Sequence, residues 1–308
     1  MIFAFSEDAE TAFEILAKGR EIANSLQSEF AIISIGQHGK EEMYISYGAD
    51  KVYSLDSDFH ADLVVDSIST LINQYKPEII LVGGTKLGKE VAPRIAQRFQ
   101  VGCTTDCIDF SIKQGQLLVK RFVLGGRFIA TQRFLRKPQI ATVPPRRFEK
   151  KLDTTRKGEI IKPSLKPGEP KVQILEVKKK EQQEIRIEEA DIIVSVGRGL
   201  KNKDDLVIIE SLAKVLGGVV GCTRSIAADL KWLPEEHWVG LSGHKVKPKL
   251  YIAIGISGQV QHIAGIRDAR TIIAINKDPN VPIFKACDYG IVGDLYEIVP
   301  KLTDILKK

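Results

Sequence analysis

No stretch of this chain approaches the roughly 20 consecutive apolar residues that a helix needs to span a bilayer, so no membrane insertion is expected. Cysteine is scarce: Cys103, Cys107, Cys222 and Cys287 are the four thiols in 308 residues. Only the first two are close, and the gap between them is not the CxxC spacing of a redox or zinc motif. No histidine pair or second cysteine pair completes a metal set, and scattered thiols suit a reducing compartment. The opening MIFAFSEDAETAFEILAKGREIA lacks a basic leader and a small-residue cleavage site. It reads as a strand entering an amphipathic helix rather than a signal peptide, and the expected location is cytoplasmic. Catalytic signatures are missing as well: there is no GxSxG elbow, Walker A lysine loop, HExxH or clustered carboxylate pair. Whatever chemistry the chain takes part in is expected to be a cofactor's.

What is present is an ordinary globular composition, 44% hydrophobic and 27% charged, in a chain long enough for two domains. Lys plus Arg outnumber Asp plus Glu by 45 to 39, giving +6. Much of that excess sits between Arg146 and about Glu189, a charged, proline-bearing stretch. It reads as a solvated connection holding one strand at VQILEV (172–177). With little aromatic interleaving it lacks the stacking residues of a single-strand binder, so nucleic acid is not an expected partner.

The first part alternates strand and helix: IFAF, a helix over about 9–26, FAIISIG, KVYSL, a helix ending before Pro77, EIILVGG, and the helix TKLGKEVAPRIAQRF. Fully apolar strands in that rhythm predict a parallel sheet covered on both faces. After Gly102 the segments CIDFSIK, QLLVKRFV, RFIATQRF and QIATVPP are short and turn-separated, and they predict added antiparallel strands. A second α/β alternation follows the charged stretch. The expected fold is therefore α/β in two tandem domains. Residues 1–185 form a nucleotide-binding-like domain with added antiparallel strands and the linker, and residues 186–308 form a parallel-sheet domain.

Open parallel sheets bind ligands at the carboxyl ends of their strands. In YIAIGISGQVQHIAGI a buried strand delivers Ser257 and Gly258 to an expected helix start, where unsatisfied N–H groups and the helix dipole favour an anion such as a pyrophosphate. The motif is not GxGxxG, so the ordinary dinucleotide fingerprint is absent. His262 lies about one turn further. Taken alone it reads as a partly buried, satisfied histidine; beside Ser257 and Gly258 it reads towards the ligand. Asn276 and Asp294 close later strands, as turn formers or as ribose ligands. Arg198 lies between two glycines, Arg224 follows Thr223 at a strand end, and Ser242 sits in a glycine-flanked loop. Two arginines at strand ends of one nucleotide-sized domain suit an anionic or aromatic ligand.

The block LYIAIGISGQVQHIAGIRDARTIIAINKDPNVPIFKACDYGIVGDL resembles the FAD-binding signature of electron transfer flavoprotein α subunits, and VGRGL, GCTRS and VGLSGHKVKPKLY match in order. The likeness extends more weakly over the first domain, through GGRFIATQRFLRKPQIATVPP. The resemblance implies FAD in the second domain and a heterodimer with a β subunit. It implies a flavoprotein dehydrogenase as electron donor and a quinone-linked oxidoreductase as acceptor, the chain being a carrier and not a stand-alone catalyst. It places Ser257, Gly258, Gln259, Val260, Gln261 and His262 around the pyrophosphate and flavin, with His262 at the O2 edge. Arg224 is placed over the ring, and Ser242, preceded by Val239, Gly240 and Leu241, donates towards N5. Arg198, Thr223, Asn276, Asp294 and Leu295 hold the phosphates and adenosine half. Ser242 stands where the family commonly has Thr, and Thr223 where it often has Ser, so both hydroxyls survive. His244 stands where a Lys is usual, removing a permanent charge expected near the flavin. Cys222 has no role in this reading. Two other readings stay open: an electron-bifurcating complex with a second FAD in the partner, and a non-redox adenine-nucleotide module.

Overall fold

A computed structural model describes residues 1–36, 39–56, 60–165, 172, 175–176 and 187–307. The chain divides into two compact units, Met1–Val177 and Lys178–Lys308.

In the first unit β1 (Ile2–Phe5), α1 (Ala9–Ser25), β2 (Phe30–Ile35), α2 (Glu41–Ser46), β3 (Lys51–Leu55), α3 (Ala61–Tyr75), β4 (Ile79–Gly83) and α4 (Lys86–Phe99) alternate. Strands β1, β2 and β4 are buried at every position because helices cover both faces of their sheet. Next come β5 (Cys103–Thr104) and a separate antiparallel sheet of β6 (Cys107–Lys113), β7 (Gln116–Val123) and β8 (Phe128–Arg133). The fourth segment expected to be antiparallel, QIATVPP, departs from that reading. Its strand β9 (Gln139–Val143) lies parallel between β4 and β5. Ile140, Ala141 and Thr142 are wholly buried there, so β9 is an interior strand of the main sheet and not part of the meander.

The charged stretch also differs from a solvated connection. The backbone N–H groups of Arg146, Arg147 and Phe148 donate to the buried Glu14 carboxylate at 2.9, 2.7 and 3.2 Å. Lys150 pairs with Glu10, Lys151 with Glu21, and Arg156 with Asp50. The strand β10 (Glu159–Ile161) then adds to β3 in parallel, completing the order β10-β3-β2-β1-β4-β9-β5. Three cations of the stretch, with three backbone N–H groups, thus strap the chain onto carboxylates of its own unit. The strand expected over 172–177 and the boundary expected at residue 185 lie at or among residues outside the described ones.

The second unit contains β11 (Ile192–Val196), α5 (Leu206–Leu216), β12 (Val219–Cys222), β13 (Leu250–Ile254), α6 (Val260–Ile266), β14 (Ile272–Asn276), β15 (Tyr289–Val292) and α7 (Leu295–Leu306). Its five strands are all parallel, in the order β12-β11-β13-β14-β15. One face buries Val194, Val196 and Ile254 under α5 and α7; the other buries Tyr251, Ala253 and Ile266. From β11 the chain runs outward to β12 and then crosses back to β13. The loops beyond β11 and β13 therefore diverge and leave a crevice at their carboxyl ends. No helix among the described residues is long and apolar enough to cross a membrane.

Candidate cofactor site

That crevice is a cavity of about 660 Å³, bordered by the segments after β11, β12, β13 and β14. This size is in the ordinary range for small-molecule and cofactor sites, roughly 300–1,000 Å³. Gly197, Arg198 and Gly199 come from the first turn, Thr223, Arg224 and Ser225 from the second, and Ser257, Gly258 and Gln259 from the third. Gln261 and His262 on α6, Asn276 at the end of β14, and the loop Trp238–Ser242 close the walls.

The glycines have a reason in packing. A Cβ on Gly199 would stand 2.6 Å from the Gly255 Cα, and one on Gly197 2.6 Å from the Gly255 carbonyl oxygen. The VGRGL turn and the end of β13 thus touch backbone to backbone, with Gly199 N–H donating to Gly255 C=O at 3.0 Å. Gly258 has φ +81°, and a Cβ there would lie 2.4 Å from the Ile283 nitrogen. Its lack of a side chain is required by that turn before any ligand arrives.

With the turns in place, the chemistry of the walls follows. Arg198 and Arg224 are both exposed on the cavity, and among the described residues neither has an ion pair. The Arg224 guanidinium lies over the Trp238 ring at 5.9 Å. Ser242 and Ser257 present hydroxyls. Thr223 and Ser225 share a hydrogen bond of 3.0 Å, and Asn276 is tied into its turn, donating to Ile256 C=O and accepting from Asp278 N–H. Apolar wall comes from Ile256, Trp238, Leu241 and Val281.

Three of the residues singled out from the sequence stand apart from this lining. Val260 opens α6 without bordering the cavity. Asp294 caps α7, accepting from Tyr296 N–H at 2.8 Å, and Leu295 is buried against Gly255. His244 is also off the cavity, its ring paired with Glu188 at 2.7 Å, so the exchange of Lys for His does not fall on the wall. Cys222 ends β12, fully buried, with burial pushing its thiol up to about 12; it is a core residue. Sequence reasoning missed Ser225, Asp229 and Trp238. Trp238 immediately precedes the glycine-flanked loop and is one of two tryptophans, which was the available signal.

His262 is 6% exposed, and both ring nitrogens already have protein partners: Nε2 the Tyr251 hydroxyl at 3.0 Å, Nδ1 the Val239 carbonyl at 3.1 Å. The ring also borders the cavity. Burial pushes the imidazole down from its ordinary value to about 4. The unfolded chain therefore binds a proton between pH 6.5 and 4 that the folded chain refuses, and stability falls as pH falls through that window. The expected loss is about 2 kcal/mol between pH 7 and 5. Denaturant titrations should show this pH-dependent part disappearing in His262→Asn.

The corresponding crevice of the first unit, between β1 and β4, is furnished differently. Asp8 accepts from Thr11 N–H and Thr85 from Gly88 N–H, so the chain caps both helix starts itself. The Thr85 hydroxyl donates to the Glu7 carboxylate at 2.8 Å. Two carboxylates at a filled turn oppose a phosphate. The anion-accepting crevice is the one in the second unit.

Comparison with known families agrees with that placement. Residues 186–267 match the electron transfer flavoprotein FAD-binding domain, and residues 7–167 the electron transfer flavoprotein domain. The electron transfer flavoprotein subunit alpha of Thermoanaerobacterium thermosaccharolyticum is 43% identical, the alignment covering 96% of this chain and 93% of that one. Subunit LctC of the lactate dehydrogenase (NAD(+),ferredoxin) of Acetobacterium woodii is 36% identical over 96% of this chain and 73% of its own. The acryloyl-CoA reductase electron transfer subunit beta of Anaerotignum propionicum is 33% identical over 100% of this chain and 95% of its own. The residues present fit FAD: guanidiniums suit a diphosphate, hydroxyls suit ribose and ring edges, and the apolar walls suit flat rings. A parallel-sheet domain with its anion-accepting crevice at the strand ends, matched along its length by this family, places the chain among the electron transfer flavoprotein α subunits, with FAD as the cofactor of its second unit.

Proposed function

We propose that this chain is the FAD-carrying subunit of a heterodimer that passes electrons from a flavoprotein dehydrogenase to a quinone-linked oxidoreductase. The observation that carries this reading is the pair of arginines, Arg198 and Arg224, without carboxylate partners among the described residues, on the crevice of a domain matched as FAD-binding. FAD, when bound, supplies the redox chemistry; the protein supplies binding and electrostatics. Arg198 and Arg224 offset the charge of the diphosphate and of a reduced ring, and the Ser242 hydroxyl offers a hydrogen bond to the ring edge. Trp238, Leu241 and Val281 keep water from part of the wall. A second subunit is supported by the relatives, each named as a subunit.

A second reading has specific support. The Acetobacterium woodii relative is named for two redox partners, NAD(+) and ferredoxin. A complex that divides electrons between two such acceptors needs a further redox group, which a second FAD in the partner chain would provide. The two readings separate when the chain is co-expressed with its β-type subunit, flavin is counted per heterodimer and the complex is titrated with reductant. One FAD, reduced through a dehydrogenase, is the expected result. Two FADs with reduction by NADH would instead establish the second reading. A folded heterodimer with no flavin would end both.

A further inference from the structure

We propose that Tyr296 is a positioning residue for the cofactor site: its hydroxyl latches the turn over residues 197–201 to the start of α7, holding Arg198 where its backbone N–H and its guanidinium are available to the cofactor. The assignment of the cavity to FAD rests on the functional reading above; the latch rests on geometry alone.

Backbone N–H groups need acceptors, and this turn accounts for nearly all of its own. Gly197 N–H donates to Ile254 C=O at 3.0 Å, and Gly199 N–H to Gly255 C=O at 3.0 Å. Leu200 N–H donates to Gly197 C=O at 3.1 Å, closing a four-residue turn with Arg198 and Gly199 at its corners. Asn202 N–H goes to the Asp205 carboxylate at 3.1 Å. Between them, Lys201 N–H finds the Tyr296 hydroxyl at 2.8 Å, an acceptor 95 residues further along the chain. Arg198 N–H is the one in this run without a protein acceptor among the described residues, and Arg198 is exposed on the cavity.

The latching oxygen is itself held. An N–H can only donate and a carboxylate only accept, so Tyr296 accepts from Lys201 and gives its proton to Asp205, at 2.6 Å. Asp205 also accepts from the Asn202 side-chain amide at 3.3 Å. One hydroxyl thus joins the turn after β11, the residue before α5 and the first turn of α7. The Tyr296 ring packs against the core between the sheet and these helices, with the Lys201 ammonium over its face at 5.2 Å. Arg198 therefore sits in a turn anchored at both ends, to β13 through Gly199 and to α7 through Lys201. A turn ordered in advance loses less freedom when an anion binds, which favours affinity.

The first readout needs no cofactor: hydrogen–deuterium exchange over residues 198–206 in the FAD-free heterodimer. Tyr296→Phe keeps the ring and removes the hydroxyl, so exchange at Lys201 should quicken about tenfold, with an unchanged far-ultraviolet circular dichroism spectrum. The second readout is fluorescence titration with FAD, where Tyr296→Phe should bind about tenfold more weakly. In an Arg198→Ala background the same substitution should cost about threefold or less, because the latch acts through that residue. Asp205→Asn keeps an oxygen that accepts from Tyr296 and should retain more FAD affinity than Asp205→Ala; this pair reads the same contact from its other end should Tyr296→Phe fail to fold. Unchanged exchange at Lys201, unchanged affinity, a full loss that persists in Arg198→Ala, or equal affinities of the two Asp205 variants overturns the latch. A folded heterodimer that binds no FAD while Tyr296→Phe still frees Lys201 sinks the functional reading and supports the latch. FAD held equally well by Tyr296→Phe sinks the latch alone.

Discussion

Arg224→Ala should weaken FAD binding about thirtyfold, lower the potential of the bound flavin by about 60 mV and leave the fold in place. The affinity figure follows from losing one charge-assisted hydrogen bond, about 2 kcal/mol. The potential figure takes a tenfold smaller preference for the negatively charged reduced ring, and tenfold is 59 mV for one electron. The sign follows from charge: removing a cation destabilises the more negative form, so the flavin becomes harder to reduce. The fold should survive because the side chain is exposed, makes no ion pair among the described residues and contributes one contact to Trp238, worth about 1 kcal/mol or less. Arg224→Lys keeps the charge and loses the planar fork, so it should fall between the two. Fluorescence titration and spectroelectrochemistry of the heterodimer read both quantities. A variant with unchanged affinity and unchanged potential would remove Arg224 from the site.

Gly258→Ala should do more damage through the fold than any cavity side chain does through contacts. The backbone at Gly258 is left-handed, φ +81°, which costs an alanine about 1–2 kcal/mol. Its Cβ would also sit 2.4 Å from the Ile283 nitrogen and 2.5 Å from the Ile283 Cα, and relieving such a clash costs about 1–3 kcal/mol more. The neighbour cannot step aside cheaply, because Ile283 N–H is hydrogen-bonded to Ser257 C=O and its side chain is wholly buried. The expected outcome is a loss of about 4 kcal/mol in denaturant unfolding, accompanied by loss of FAD. Gly217→Ala is the control: its φ is +66° but a Cβ there meets nothing within 4 Å, so strain without a clash should cost less than half as much. Equal effects at the two glycines would mean that Ile283 yields, and the rigid-turn account would fail.

The parallel strands were legible because they are buried on both sides: FAIISI and IILVG are continuous apolar runs of the kind only a covered parallel sheet produces. The same logic failed for QIATV. It stands next to three strands of a meander and has the same length and turn signals, and nothing local tells an interior parallel strand from another antiparallel one. β10 was hidden in the charged stretch because three residues are too few for any periodicity, and its place is set by Asp50 and β3 rather than by its own pattern. At the site, residues at strand ends were legible as strand ends, and most of them do border the cavity. The capping role of Asp294 was not legible, because an aspartate that caps a helix and one that faces a ligand look alike in one dimension.

By itself, the sequence determined that no membrane-spanning run exists in it, that the chain alternates strand and helix twice, and that the second half carries an FAD-binding signature. Each of these is a property of neighbouring residues: run length, period and motif order. Tertiary structure alone decided where the basic charge goes, which glycines serve backbone packing, and what His262 faces. Those answers depend on pairs far apart in the chain, Asp50 with Arg156, Gly199 with Gly255, and Tyr251 on a strand and Val239 in a loop, both with His262. A side chain's ionisation and its hydrogen-bond partners are set by what packs around it, and no local pattern records that.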